Sequence, residues 1–240
     1  MTREKSSLMK NLHVGIIPDG NRRWAEQKNL PMRRGHKRGV EVTDKIFRHI
    51  IEKHPEIKEI TIWAFSTENF QRSRFERMMI FRHIKKGLKN LGTDRQIHEN
   101  RVKVNVFGCP FEEFPKNLGD AARQTMYITR DYGNRILNIG LGYGGRFEIT
   151  RAAINFARWL KDRPLVKKVK EKTFEDFLSI RTPLDIVIRT GGQKRLSGFM
   201  LYQMAYAELF FSETLWPDFT AKEFDKIMSE FKSRKRRFGT

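Results

Sequence analysis

The sequence predicts an α/β fold: a single domain in which a central parallel sheet of about six strands is flanked by helices. Two observations carry this expectation. Short, nearly continuous apolar runs alternate with segments of helical period, and no Ser/Gly-rich linker or compositional break divides the 240 residues. Strands buried on both faces read as unbroken apolar runs, which separates them from the half-exposed, alternating strands of an antiparallel sheet.

Strand-like runs fall at 12–17 (Leu-His-Val-Gly-Ile-Ile), 58–65, 101–107, 136–141 and 184–188, with a further short run near 207–211. Between them, Val40, Thr43, Phe47, Ile50 and Ile51 mark one amphipathic helix, and Met78, Phe81, Ile84, Leu88 and Leu91 a second. Ile149, Ala152, Ala153, Phe156 and Leu160 mark a third. Thr220 followed by Glu223 predicts a capping box that opens a last helix through Phe224, Ile227, Met228 and Phe231. Residues 1–11 are polar and basic and are expected to form a flexible N-terminus ahead of a domain over 12–240.

With 39% apolar and 32% charged residues the chain should fold by itself. Nowhere do 18 apolar residues run together, and the N-terminus lacks a signal-peptide core, so the expected location is cytoplasmic, at most peripheral at a membrane surface. The single cysteine, Cys109, excludes an internal disulfide and any CxxC zinc or redox pair. No HExxH spacing occurs among the six histidines; only His36, beside Arg33, Arg34, Lys37 and Arg38, invites a functional reading. The formal charge of +20 attracts polyanions, anionic membrane surfaces and phosphorylated substrates alike. Basic stretches such as 232–237 lack interleaved aromatics, and no helix-turn-helix, RNP or zinc-finger signature appears, so no nucleic-acid partner is expected.

The most informative segment is Pro18-Asp19-Gly20-Asn21-Arg22-Arg23-Trp24, directly after the first apolar run. In open α/β sheets, ligands bind outside the carboxyl ends of the strands, and a glycine there lets the backbone approach a phosphate. Asp19 would orient a metal or a metal-bound diphosphate while Arg23 neutralises leaving-group charge. Taken alone, the same residues also read as an Asx-type turn with solvated arginines. Three other segments at strand ends share the theme: Ser66-Thr67-Glu68-Asn69-Phe70-Gln71-Arg72, Gly142-Tyr143-Gly144-Gly145-Arg146, and Arg189 through Ser197. Each combines small residues with hydroxyl, amide or guanidinium donors, and arginine's planar fork suits a diphosphate, which points to two anion subsites. The absence of a Ser-His-Asp order, a Walker A motif and GxGxxG removes hydrolase-triad, kinase and dehydrogenase readings. No pair of carboxylates stands out as general acid and base, which fits chemistry driven by leaving-group departure.

At these residues the chain resembles the cis-prenyltransferases, the family of undecaprenyl and dehydrodolichyl diphosphate synthases. The resemblance runs from His13 to Gly239 through HVGIIPDGNRRW, GHKRGVE, AFSTENFQRS, GYGGR, DIVIRTGGQKRLSGF, AYAELFF and LWPDF, in the family's order. It implies an enzyme that elongates an allylic prenyl diphosphate with isopentenyl diphosphate to make a Z double bond, using Mg2+, in a homodimer. Asp19 would then assist departure of the allylic diphosphate through the metal, and Gly20, Asn21, Arg23 and His36 would hold that diphosphate, with Arg22 counted among the substrate-binding residues. Trp24, Asn69 and Phe70 would lie against the substrate chains or the reacting centre, with Ser66 and Arg72 in support. Arg189, Arg195 and Ser197 would bind isopentenyl diphosphate, and Glu208 would help hold magnesium. The tail Arg237–Gly239 would reach the partner's active site, and a hydrophobic tunnel walled by the Val40–Ile51 and Met78–Leu91 helices would take the growing chain.

Several positions depart from the family's pattern. Pro18 stands where many members have methionine, and Arg22 follows the archaeal and eukaryotic style of the motif. Met32 replaces an arginine that usually grips the allylic diphosphate, a task that Arg33 or Arg34 would take over. Gln193 and Gly198 replace a glutamate and an asparagine or aspartate. Arg135 falls where long-chain members carry an apolar residue near the tunnel's far end; its guanidinium must snorkel or pair, and would shorten the tunnel or suit a polar-ended acceptor. The expected product is a polyprenyl diphosphate that serves as precursor of a glycosyl-carrier lipid. The alternatives are an atypical member giving short, branched or non-head-to-tail prenyl products, a non-catalytic subunit, and a basic nucleic-acid-binding protein.

Overall fold

The computed structural model describes residues 11–165 and 168–234, so the expected flexible N-terminus, except Asn11, and the tail Arg237–Gly239 lie outside the described residues. Strand β1 (Leu12–Ile17) leads into α1 (Asn21–Gln27) and α2 (Met32–Lys53). Next come β2 (Ile57–Ser66), a 3-10 turn (Thr67–Gln71), α3 (Arg74–Thr93), α4 (Arg95–Glu99) and β3 (Val102–Gly108). Helix α5 (Lys116–Ile128), β4 (Arg135–Tyr143), α6 (Gly145–Lys161) and α7 (Glu171–Glu175) precede β5 (Ile186–Arg189), β6 (Glu208–Phe211) and α8 (Ala221–Ser233). All six expected strands are present, within two residues of their predicted starts.

The strands form one parallel sheet in the order β3-β4-β2-β1-β5-β6. Every residue of β1 is buried, because it lies between β2 (Val14 opposite Ile60) and β5 (Val14 opposite Ile186). The order of strand addition reverses at β1, with β2 and β4 laid down on one side and β5 and β6 on the other, so the crevice between the carboxyl ends of β1 and β5 is the topological switch point where open α/β sheets bind ligands. One face, through Ile60, Ile62, Leu137 and Ile139, packs toward α2 and α3; the other, through Ile17, Val187 and Tyr143, packs on Phe199 and Met200.

Polar side chains cross the second face from strand to strand. Asn105 on β3 donates to Asn138 Oδ1 on β4 at 3.0 Å, and Asn138 donates to Glu59 (2.6 Å) and Thr61 (3.1 Å) on β2. Thr61 Oγ1 is 2.7 Å from His13 Nε2 on β1. Burial lowers the pKa of His13 despite the nearby Glu59 carboxylate, so this histidine is a satisfied core group.

Helix α2 begins eight residues before its first predicted apolar position and is fastened at both ends. At its start, Gly35 and Gly39 let α1 approach so closely that a Cβ at either would collide with Asn21. At its end stands Arg135, which pairs rather than snorkels, as one of the two expected outcomes; the expectation that it stands at the tunnel's far end is corrected, because it is not among the residues lining the cavity. Its buried guanidinium donates to the carbonyls of Ile50 (3.4 Å), Ile51 (3.0 Å), His54 (3.1 Å) and Ile57 (2.7 Å). These are carbonyls of the last turn of α2 and of the turn into β2, where a helix terminus runs short of intrahelical partners; Ile50 O and His54 O also accept from His54 N and Ile57 N. The predicted capping box at α8 is half realised. Thr220 Oγ1 accepts from Glu223 N at 3.2 Å, while the Glu223 carboxylate accepts from Ser212 instead of reaching back to the cap.

Replacing Arg135 with methionine roughly keeps volume but removes the four buried hydrogen bonds that join the end of α2 to β4. Urea unfolding is expected to show a lower midpoint with unchanged slope and a loss of about 2–4 kcal/mol.

Candidate functional site

The site is built on the turn after β1. Asp19 N donates both to Ile17 O and to Thr190 Oγ1 at 3.0 Å, and the same hydroxyl donates back to Asp19 O at 2.9 Å. Thr190 is fully buried at the end of β5, so one side chain fixes both backbone groups of Asp19. Gly20 then turns with φ +112°, a conformation that favours glycine, and a Cβ there would strike Leu215.

The Asp19 carboxylate sits between two guanidiniums. Arg189 Nη2 donates to Oδ2 at 2.9 Å, and Arg23 Nη2 lies 3.2 Å from Oδ1. Arg23 also donates to Gly191 O at 2.7 Å, an approach that needs the left-handed Gly191 (φ +82°) because a Cβ there would meet its guanidinium. Arg189 donates to Ser197 Oγ at 2.8 Å and to the carbonyl of Arg195, and Arg195 donates to Gln193 Oε1 at 2.5 Å. The structure therefore brings Asp19, Gly20, Arg23, Arg189, Arg195 and Ser197 into one hydrogen-bonded unit. Thr190, which was not singled out in the sequence, joins them.

The opposite wall comes from α2 and the turn after β2. Ser66 and Asn69 cap each other reciprocally: Asn69 N donates to Ser66 Oγ (3.3 Å) and Ser66 N to Asn69 Oδ1 (3.0 Å). Arg72 donates to the buried Glu76 at 2.5 Å. Between the walls opens a cavity of about 1330 Å³, whose mouth is lined by Asp19, Asn21, His36, Arg189 and Ser197 and, across from them, Ser66, Asn69 and Arg72. Beyond the mouth it runs between α2, α3 and the sheet over Ile46, Ile60, Ile62, Ile84, Leu88 and Ile139. That volume exceeds the usual range for a small-molecule pocket, and an apolar bore behind a polar mouth suits an amphiphile with a long hydrocarbon part. At its far end Arg48 donates to Asp44 (2.9 Å), Gln96 (3.0 Å) and Asp94, tying α2 to the start of α4.

Buried polar atoms without partners identify where a ligand belongs. Asn21 Oδ1, Trp24 Nε1, His36 Nε2 and Arg189 Nε are buried with no hydrogen-bond partner, a costly state unless something binds there. Lys37, Arg82 and Lys86 on the cavity lining make its mouth cationic. Burial, with the nearby Arg72 guanidinium, pushes the His36 pKa down to about 4, so a neutral imidazole faces this mouth.

Other expected site residues stand elsewhere. Arg22 is exposed on the outer side of α1 and pairs with Glu26 at 2.8 Å. Arg33 and Arg34, the two candidates for the arginine missing at Met32, are exposed at the start of α2 and are not part of the lining. The Phe70 ring packs with Phe65 (5.1 Å) and Phe114 (5.5 Å) and supports the turn from behind. Glu208 opens β6 at the amino end of the sheet, where Arg234 holds its carboxylate at 2.6 Å, so one chain does not bring it to Asp19. The glutamate at the carboxyl end of β6 is Glu213, whose carboxylate approaches Gly192 so closely that a Cβ there would lie 2.5 Å from it.

The depressed His36 pKa fixes the sign of a pH effect. Between the unfolded value near 6.5 and about 4, the unfolded chain binds a proton that the folded chain refuses, so stability falls as pH falls through that window. Comparing urea midpoints at pH 7 and pH 5, His36→Gln is expected to lose less stability on acidification than the wild type.

Residues 17–239 match the prenyltransferase family described as undecaprenyl diphosphate synthase. The tritrans,polycis-undecaprenyl-diphosphate synthase (geranylgeranyl-diphosphate specific) of Pyrococcus abyssi is 41% identical over 230 residues, 95% of this chain and 86% of that protein. The isoprenyl transferase of Aquifex aeolicus is 38% identical over 95% of each chain. Among solved structures, lavandulyl diphosphate synthase from Lavandula x intermedia, in complex with dimethylallyl diphosphate, superposes with a TM-score of 0.88 at 29% identity, over 97% of this chain and 100% of that one. A probable undecaprenyl diphosphate synthase from Campylobacter jejuni gives 0.77 at 28% identity, over 96% and 99%. A switch-point site of paired guanidiniums around one aspartate, opening on a long apolar bore, and identity along nearly the whole chain agree: the chain belongs to the cis-prenyltransferase family, enzymes that condense isopentenyl diphosphate with an allylic diphosphate into a Z-prenyl diphosphate.

Proposed function

We propose that this enzyme makes a long Z-polyprenyl diphosphate, the precursor of a glycosyl-carrier lipid, from geranylgeranyl diphosphate as primer and with Mg2+. The observation that carries the reading is the set of unpartnered buried polar atoms on Asn21, His36 and Arg189 lining the mouth of one deep apolar cavity, with a further one, Trp24 Nε1, on the same helix as Asn21. The primer specificity in the name of the Pyrococcus abyssi relative supports the choice of primer.

In this reading Asp19, Gly20, Asn21, Arg23 and His36 hold the allylic diphosphate, and Arg189, Arg195 and Ser197 hold isopentenyl diphosphate. The allylic C–O bond breaks with its electron pair going to the departing diphosphate, the isopentenyl double bond closes on the freed carbon, and a proton leaves. Arg23 neutralises departing charge, and the neutral His36 donates a hydrogen bond without adding a proton of its own. Magnesium fits the donor set, since hard cations at diphosphate sites take one or two carboxylates plus phosphate oxygens, and Asp19 supplies such a carboxylate. Bound there, the ion supplies Lewis-acid neutralisation of the leaving group.

The irregular-product alternative loses two of its motives. Arg135 caps a helix instead of lining the bore, and Gln193 accepts from Arg195 within the isopentenyl subsite. A homodimer is part of the proposal: β6 is an edge strand, and Tyr206, Leu209, Phe147 and Ile154 expose apolar surface away from the cavity. Among the described residues no helix is long and apolar enough to cross a membrane; a cytoplasmic enzyme delivering product at a membrane surface is the proposed setting.

The first test is product analysis with labelled isopentenyl diphosphate and geranylgeranyl diphosphate, read by mass and double-bond geometry; only short or branched products would overturn the chain-elongation reading. Asp19→Ala is expected to fold like the wild type and lose about 100- to 1000-fold in kcat. Arg195→Ala should instead raise KM for isopentenyl diphosphate by about 10-fold, with a smaller change in kcat. Arg48→Ala, by loosening the closure at the far end of the bore, is expected to shift the product ladder to longer chains.

A further inference from the structure

A second chemistry lies at the amino end of the sheet, opposite Asp19. His49 in α2, His54 at that helix's C-terminal cap and Asp225 in α8 converge there, one ligand atom from each lying within 4.8 Å of the others. His49 Nε2 is 2.6 Å and His54 Nε2 is 2.9 Å from the same oxygen, Asp225 Oδ1. On the other side of its ring, His54 Nδ1 faces Glu56 Oε1 at 3.2 Å, and Lys232 holds that carboxylate at 2.7 Å. The His54 ring is buried and packs edge-on against Phe224, with centroids 5.2 Å apart, which fixes its orientation.

An imidazole that donates one N–H to a carboxylate has its other nitrogen oriented and made more basic, the arrangement that accompanies metal-bound histidine. Two imidazole nitrogens and one carboxylate oxygen are the donors of zinc-class metals; magnesium prefers oxygen alone.

We propose that His49, His54 and Asp225 bind a divalent transition metal of the zinc class, at a site separate from the diphosphate site, and thereby staple the end of α2 to α8. Ligand atoms around a tetrahedral ion with bonds of about 2.0 Å stand roughly 3.3 Å apart. The two Nε2–Oδ1 separations therefore open by about half an ångström, and each imidazole binds the metal through Nε2 as its neutral Nδ1–H tautomer, His54 with that proton on Glu56; a proton held at Nε2 moves to Nδ1, or to solvent where Nδ1 already carries one. The half-exposed Asp225 leaves the fourth position to water.

The test titrates chelator-treated full-length protein with Co2+ in excess Mg2+ and follows the visible d–d band, then displaces Co2+ with Zn2+. One equivalent is expected to bind. Affinity should fall at least about 10- to 100-fold in His49→Ala and Asp225→Asn, less in Glu56→Gln, and should not change in Asp19→Asn. Prenyl transfer at saturating Mg2+ should be unaffected by His49→Ala. In unaltered protein, imidazole 15N shifts should move at Nε2 of His49 and His54 on Zn2+ addition while Nδ1 of His54 stays protonated. No band, unmoved Nε2 signals, or a band lost only in Asp19→Asn would overturn the proposal.

Discussion

The arrangement rests on one buried hydroxyl. Thr190 at the end of β5 accepts from the nitrogen of Asp19 and donates to its carbonyl, so the first turn after β1 is locked to a neighbouring strand that enters the fold about 170 residues later. Each hydrogen bond contributes only about 1 kcal/mol net, and they act together with the bond from Asp19 N to Ile17 O and the one that Asp19 O accepts from Trp216 N. With the backbone of Asp19 fixed, Arg189, the residue before Thr190, meets the Asp19 carboxylate directly. Carboxylate and guanidinium are thus positioned by adjacent residues of one strand end, and the diphosphate site inherits the rigidity of the central sheet. Such preorganisation is what a reaction limited by charge separation requires of a protein.

Much of the fold was legible because a parallel sheet buries both faces of its strands, and the runs at 12–17 and 184–188 contain few polar residues to confuse the pattern. The site was legible for a related reason: Asp19, Arg189 and Ser197 follow strand ends, and strand ends at a switch point converge. What the sequence hid depended on direction. Helical phase decides that Arg22 points outward while Arg23 points inward, and two consecutive arginines carry no sign of which is which. Glu208 and Glu213 flank the same strand, and only the polarity of β6 tells which of them stands near the carboxyl ends. Phe70 reads as a substrate-facing aromatic until the Phe65 and Phe114 rings are seen behind it. Arg135 was hardest, since its partners are main-chain carbonyls of a helix terminus about 80 residues earlier, and carbonyls leave no mark in a sequence.

The polar crossing from Asn105 to His13 bears on specificity of assembly. Apolar strands tolerate a slip of two residues, because the same face stays buried. Asn138 can satisfy its amide only when Glu59, Thr61 and Asn105 stand where the native register puts them, and a slipped sheet would bury these groups unpaired. The chain therefore fixes the order and register of four strands through side chains that take no part in the reaction.

The two helices that bound the bore are not equally fastened. Helix α2 is tied down near its start, where Trp216 donates to Gly39 O at 2.9 Å, and at its end by Arg135. In α3, by contrast, Gly87 borders the bore with nothing within 4 Å of the space a Cβ would fill. One wall is thus a fixed rail and the other carries spare room. A lineage that needed a different lipid would find its freedom in the residues of α3, with the reacting centre left untouched.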